Sequence, residues 1–248
     1  MKKVTVAVSM LLALLAFSTS AMAAIEVEGD VYAGIYSQYL WRGFDLSGSL
    51  PVAQGGVDVS FKGLTVSYWT NVQLKDDDLE GFEGGGESTE NDIVIDYTYD
   101  VTDLVSVSVG NIYYMLDGDT DTLPDTNELY LGVSLNTILE PSLTVYYDWD
   151  EAEENGLFYT ASIGHSFDLA EGLSASVGAL ASYNDKSDYS VGDYSDWHNY
   201  ELSAGVDYAI TDQISVSSSF LFSEGLSDEG RDAIDSEMVG GVSVAFTF

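Results

Sequence analysis

Acidic side chains recur at alternate positions in segments that are otherwise small and polar: Glu28, Asp30, Asp58, Asp92, Asp96, Glu128, Asp148, Glu201, Asp207 and Glu237. Carboxylates facing one narrow, partly low-dielectric space repel one another unless cations or water screen them. Around a bore they would attract positive solutes and turn anions away, which is ion selection rather than bond-making. The plainer reading is a solvated polar lining whose charges only keep water inside. Arg42 is the basic residue of the same alternating set. It is either a constriction cation that meets the solute or half of an internal ion pair that neutralises a carboxylate.

A second acidic pattern is local. Asp117, Asp119, Asp121, Asp125 and Glu128 fall at the ligand spacing D-x-D-x-D-x-x-x-D-x-x-E of a calcium loop. Closely spaced oxygen ligands suit Ca²⁺. Thr122 stands where that loop needs glycine for its sharp turn, and the flanks read as strands rather than helices. The alternatives are loose binding of Ca²⁺ or Mg²⁺ and an ordinary acidic loop. Asp76-Asp77-Asp78, Asp150-Glu151 and Asp228-Glu229 share its sign, and such runs are usually solvated surface. Catalysis has little to draw on. Without cysteine there is no thiolate chemistry, and His165 and His198 have no nucleophile elbow or evident partner set beside them. No enzyme activity and no cofactor are therefore expected.

Lys2 and Lys3, an apolar run from Val4 to Phe17 and the small-residue stretch Ala21-Met22-Ala23 form a signal peptide, residues 1–23, cut before Ala24. The run is too short to cross a membrane as a helix, and no later stretch is long and apolar enough. Residues 24–248 are the domain. They carry five basic against 42 acidic side chains, a formal charge of −37. That sign excludes nucleic acid as a partner and favours cations. The abundance of Tyr (17), Phe (10) and Trp (4) separates the chain from a disordered acidic tail.

Alternation with a period of two runs almost throughout this domain, broken by Gly, Asp, Asn and Ser clusters. It predicts about 12 strands near 27–42, 51–61, 64–74, 91–99, 104–115, 127–136, 142–149, 157–167, 173–183, 198–208, 213–222 and 237–248. Their connections alternate between short turns and long polar loops, as in an outer-membrane barrel with both termini in the periplasm. Tyr39, Trp41, Tyr113, Trp149, Tyr183, Tyr200 and Phe222 fall at the loop-side ends of the outward tracks. Phe61, Tyr97, Tyr99, Phe167, Tyr208, Phe246 and Phe248 fall at the turn-side ends. Two such belts mark membrane interfaces. Trp69 departs from them, because its parity puts it inside with Thr65 and Ser67. A soluble β-sandwich also alternates, but its exterior would carry more Lys and Glu than this small, polar second face. The ending Val242-Ser243-Val244-Ala245-Phe246-Thr247-Phe248, with Phe246 and Phe248 in step, resembles the recognition signal of barrel-assembly machinery. The fold expected is an all-β, transmembrane, antiparallel up-and-down barrel.

Ser37-Gln38-Tyr39-Leu40-Trp41-Arg42-Gly43-Phe44, followed by Pro51-Val52-Ala53-Gln54-Gly55-Gly56-Val57-Asp58, resembles the start of the TorF-type porins of proteobacteria. Asn127 to Ser134 and Ser162 to Phe167 are similar to further tracts of that family. The resemblance implies an outer-membrane porin and names no substrate. Together these features predict a channel in a Gram-negative outer membrane for passive diffusion of small hydrophilic solutes, cation-preferring. Its expected partners are outer-membrane lipid, lipopolysaccharide and the assembly machinery. The alternative is a closed structural or adhesive barrel, plugged by inward residues such as Tyr32, Tyr36, Trp69, Tyr114, Tyr130 and Tyr146.

Overall fold

In a computed structural model, residues 27–75, 85–117, 124–152 and 156–248 are described. The signal segment expected at 1–23 lies outside them, as do Asp119 and Asp121.

The period-two segments become strands because their small, polar residues can face water while β-branched and aromatic neighbours face the other way. In chain order the elements are β1 (Glu28–Tyr36), β2 (Leu40–Trp41), β3 (Phe44–Asp45), β4 (Val52–Phe61), β5 (Leu64–Gln73), β6 (Ser88–Asp100) and β7 (Val105–Leu116). There follow β8 (Thr126–Leu135), β9 (Ser142–Asp148), β10 (Leu157–Ala170), β11 (Leu173–Asp185), β12 (Ser195–Ala209), β13 (Ile214–Gly225), the helix α1 (Asp228–Ala233) and β14 (Glu237–Thr247). All strands but β2 and β3 form one closed antiparallel barrel of twelve, in which β1 pairs with both β4 and β14. Closure leaves no unpaired strand edge, the condition a sheet must meet to sit in lipid. At the seam, Gly29 N–H donates to Phe248 O at 3.0 Å and Phe248 N–H donates to Gly29 O at 2.9 Å.

One end of the barrel carries tight turns and the other the long loops. Lys62 and Gly63, at φ 50° and 85°, form the two-residue turn between β4 and β5. Both central positions of such a turn need the left-handed region, which glycine reaches without strain. The outward face is an apolar band: Ile95, Leu131, Val177 and Val242 are all at least half exposed. A patch of that size on a barrel is a surface for hydrocarbon to cover. Phe61, Tyr97, Tyr99, Phe167, Tyr208, Phe246 and Phe248 ring its turn end, all exposed, as the sequence predicts. Trp149 is exposed at the loop end, where Tyr183 packs edge-on against Trp197 and Tyr200 against Phe222.

Tyr39 and Trp41 are not in that belt. β1 ends at Tyr36, not at residue 42 as alternation suggests, and residues 37–51 turn into the barrel. Tyr39 is buried with its ring centroid 5.4 Å from that of Trp69, and Trp41 meets Tyr114 edge-on at 5.7 Å. The cause is a turn that parity cannot reveal. Arg42 and Gly43, at φ 50° and 86°, reverse the chain between Trp41 and Phe44. Trp69 itself is inside, as its parity requires, opposite Gly56 on β4 and Asp92 on β6.

The packed core accordingly sits inside the loop half of the barrel. Val52, Asn71, Glu90, Tyr114, Glu128, Asp148, Phe158, Ser182, Asn184, Asn199 and Ser223 are buried there, drawn from strands all around the wall. A β-bulge adds to it. Across β11 and β12, Ala181 pairs with Tyr200 and Tyr183 with Trp197, so β12 has one extra residue. The local break in alternation leaves the consecutive residues His198 and Asn199 both buried.

Candidate functional site

The interior divides at the inward hairpin. Its own residues shape it first. The Asp45 carboxylate accepts from Ser47 N–H and Ser47 O–H, both at 3.0 Å, and from Ser49 N–H and O–H. Ser47 Oγ in turn accepts from Tyr39 N–H at 2.8 Å. This use of a short acidic side chain to cap its own loop is what lets a polar segment leave bulk water without orphaned donors. Gln73 Nε2 donates to Ser47 O at 3.1 Å, tying the hairpin base to β5.

From that base the hairpin reaches across the bore. Arg42 donates to both oxygens of Glu128 on β8, at 2.9 and 2.7 Å, and to Ser190 Oγ at 2.8 Å. Both charged side chains are buried, 8 % and 1 % exposed. The guanidinium also lies over the rings of Phe158 (4.3 Å), Trp41 (4.5 Å) and Tyr146 (5.2 Å). Burial alone would weaken the Arg42 charge, but Glu128 outweighs it and holds the group above the usual arginine range. Tyr114 O–H donates to Glu128 at 2.9 Å, leaving that carboxylate with no call for another cation. Burial, followed by the charge of Glu90, pushes the Tyr39 phenol well above its ordinary range, so it stays a neutral donor.

Beyond Arg42 the hairpin rests on β12. His198 Nε2 is 2.7 Å from Arg42 O and its Nδ1 is 2.5 Å from Tyr194 Oη. A carbonyl can only accept, which places the proton on Nε2 and leaves Nδ1 to accept from the tyrosine. Phe44 stacks on the same ring at 5.6 Å. Both nitrogens of His198 are thus occupied by neutral groups, an arrangement for support rather than for base catalysis. His165 faces outward near the turn end, edge-on to Phe167 at 4.5 Å.

The turn half is different. Asp30 and Asp58 are register partners on adjacent strands, and Thr247 Oγ1 donates to Asp30 at 2.7 Å. Tyr130 O–H donates to Asp96 at 2.6 Å, and Ser217 O–H donates to Asp207 at 2.5 Å. At the border with the loop half, Glu201 accepts from the buried Asn199 at 3.1 Å, and at the other end Glu28 is exposed at the rim. These carboxylates line the wall without gathering at one point. A cavity of about 620 Å³ lies under the hairpin, with Tyr36, Trp41, Trp69, Asp92, Ser203 and Asp207 in its lining.

Of the residues named from sequence, the fold unites Arg42 with Glu128, Glu128 with its register partner Asp148, Asp30 with Asp58, and Asp92 with Asp207 around the cavity. Phe158, Ser190 and His198 complete the Arg42 site; the first two escape sequence reasoning, which considers His198 only as a candidate base at the outer rim. Ser190 comes from a loop and His198 from the bulge, where periodicity is silent. The calcium-loop pattern also changes. Asp125 accepts from Leu116 N–H at 2.9 Å and from Tyr113 O–H at 2.8 Å. Glu128, the bidentate glutamate that loop would need, is committed to Arg42. Asp117 is exposed at the end of β7.

A family model described as "Bacterial protein of unknown function (Gcw_chp)" matches residues 18–239. No curated protein sequence matches the chain. Among solved structures, the NanC porin is 15 % identical with a TM-score of 0.54, over 88 % of this chain and 98 % of that one. The KdgM porin is 12 % identical with a TM-score of 0.55, over 89 % and 99 %. The COG4313 outer membrane channel from Pseudomonas putida F1 is 8 % identical with a TM-score of 0.52, over 94 % and 98 %. At these identities the likeness is one of fold.

Proposed function

We propose that this chain, which belongs to the Gcw_chp family of bacterial proteins, is an outer-membrane channel for passive diffusion of small hydrophilic solutes, with a preference for cations. The observation that carries this reading is the lining of the turn half. Asp30, Asp58, Asp96 and Asp207 face a polar lumen, and the one basic side chain inside the barrel among the described residues is already neutralised by Glu128. The remaining sign is negative, and a negative lining concentrates cations. The porin fold shared with NanC, KdgM and the COG4313 channel, and the likeness of the first hairpin to TorF-type porins, support the same reading.

The short-turn end, with both termini, faces the periplasm, and the acidic loops face outward among lipopolysaccharide, where they hold Ca²⁺ or Mg²⁺ loosely. Phe246 and Phe248 present the closing strand to the assembly machinery. Single-channel recording across a salt gradient tests the channel. A reversal potential favouring cations is the expected result, and an anion-favouring one overturns the preference.

A second reading has its own observation. The hairpin spans the bore and is anchored by a buried ion pair, which suits a closed structural barrel. Complete absence of conductance in the same recording would favour it.

A further inference from the structure

The cavity under the hairpin has a wall chemistry that the channel reading does not use. Aromatic rings cover one side: Trp69 and Tyr39 are in contact, and Trp41 and Tyr36 line the same space. Beside them is Asp92, the direct register partner of Trp69. Its Oδ1 is buried and accepts from no N–H or hydroxyl donor among the described residues, and its carboxyl lies against that of Glu90. The nearby amide donors are directed elsewhere, Gln54 Nε2 to Asn71 Oδ1 at 3.1 Å and Gln38 Nε2 to Glu237 at 2.7 Å. The wall around Asp92 therefore offers an unfilled acceptor and π faces, while the hydroxyls of Ser176, Ser203 and Ser217 line the cavity elsewhere.

A ligand that fills the Asp92 side of this wall must bring a donor, carry positive charge and have hydrocarbon to lay against the rings. The volume, about 620 Å³, suits a small organic molecule rather than a bare ion alone. We propose that the cavity binds small organic ammonium cations, with Asp92 accepting from the ammonium group and Trp69 and Tyr39 covering its carbon chain. The assignment rests on the reading of the lumen as a solute path and names the class of solute that pauses in it. Neutral sugars would also stack on aromatic rings, but they leave the negative charge shared by the Asp92 and Glu90 carboxyls uncompensated.

Isothermal titration of the full chain, folded in detergent micelles, with n-butylammonium chloride at matched ionic strength tests this directly. Saturable binding near one equivalent is expected, with n-butanol and maltose giving none. Asp92→Asn, which keeps the shape and removes the charge, should weaken binding roughly tenfold, and Trp69→Leu several-fold. Heat-modifiable gel mobility reports whether each variant is folded. If Asp92→Asn fails to fold, Trp69→Leu decides. No saturable heat, affinity unchanged in both folded variants, or maltose or butanol binding as tightly as the amine would overturn the proposal. A barrel that conducts cations without binding the amine sinks this inference alone. One that binds the amine without conducting sinks only the channel.

Discussion

The two halves of this barrel use the same residue types to opposite ends. In the loop half, carboxylates are consumed locally: Glu128 by Arg42 and Tyr114, Asp45 by its own loop, Asp148 by Thr126 at 2.9 and 3.0 Å. In the turn half, Asp30 and Asp207 each take one hydroxyl and Asp96 two, and they keep the rest of their hydrogen-bonding capacity for the lumen. What separates the halves is the hairpin. Where it fills the bore, side chains are buried and each charge must find a partner in the protein, since an unpaired buried charge is prohibitively costly. Where it does not, the charge can stay free and act on solutes.

Removing the hairpin should erase the distinction. Replacing residues 39–47 with a short Gly-Ser linker is expected to raise single-channel conductance several-fold, because the Arg42–Glu128 bridge across the loop half goes with it. Unchanged conductance would mean that the wall itself sets the constriction. Glu128→Gln attacks the same half without deleting it. Leaving Arg42 charged and unpaired should cost about 3–5 kcal/mol, read as a lower urea midpoint of the folded barrel. Gly241→Ala tests the wall beside it. A Cβ there would collide with the ring of Tyr36. Overpacking of that kind should cost about 1–3 kcal/mol, and Tyr36→Leu should relieve much of the loss. The smallest change in stability belongs to the turn half: Asp207→Asn should stay within about 0.5 kcal/mol. Its effect should appear in permeation, as a lower cation-to-anion ratio in the reversal potential. A large stability loss with unchanged selectivity would place Asp207 on the structural side of the comparison.

Strands and their facing were largely legible because a barrel wall obeys one rule for its whole length. Each strand must show lipid one residue and the lumen the next, and Ile93, Ile95 and Tyr97 against Asp92 and Asp96 record that rule in the chain itself. Glu128 and Asp207 could be placed inside for the same reason. Tyr39 and Trp41 could not. Alternation continues through them, and only the left-handed pair Arg42-Gly43 turns that continuation into a hairpin pointing inward. His198 was hidden by the converse effect, since a bulge interrupts the rule and moves a residue from the rim to the interior. The partner of Arg42 was unreadable in principle. The two residues are 86 positions apart, and no periodicity links opposite walls of a barrel.

The attachment of the hairpin has a further consequence. It connects β1 and β4, which are neighbours already zipped together from Tyr36 and Val52 down to Glu28 and Ser60. Its inward placement leaves that ladder intact, and among the described residues only its end residues Ser37 and Pro51 bond to neighbouring backbone, at Gly240 and Leu74. The wall and its stopper are separable modules: the wall can assemble completely before the segment swings in, and the segment can lengthen, shorten or change sequence without shifting a single strand register. Variation among relatives would then concentrate in what fills the bore, over a nearly constant cylinder.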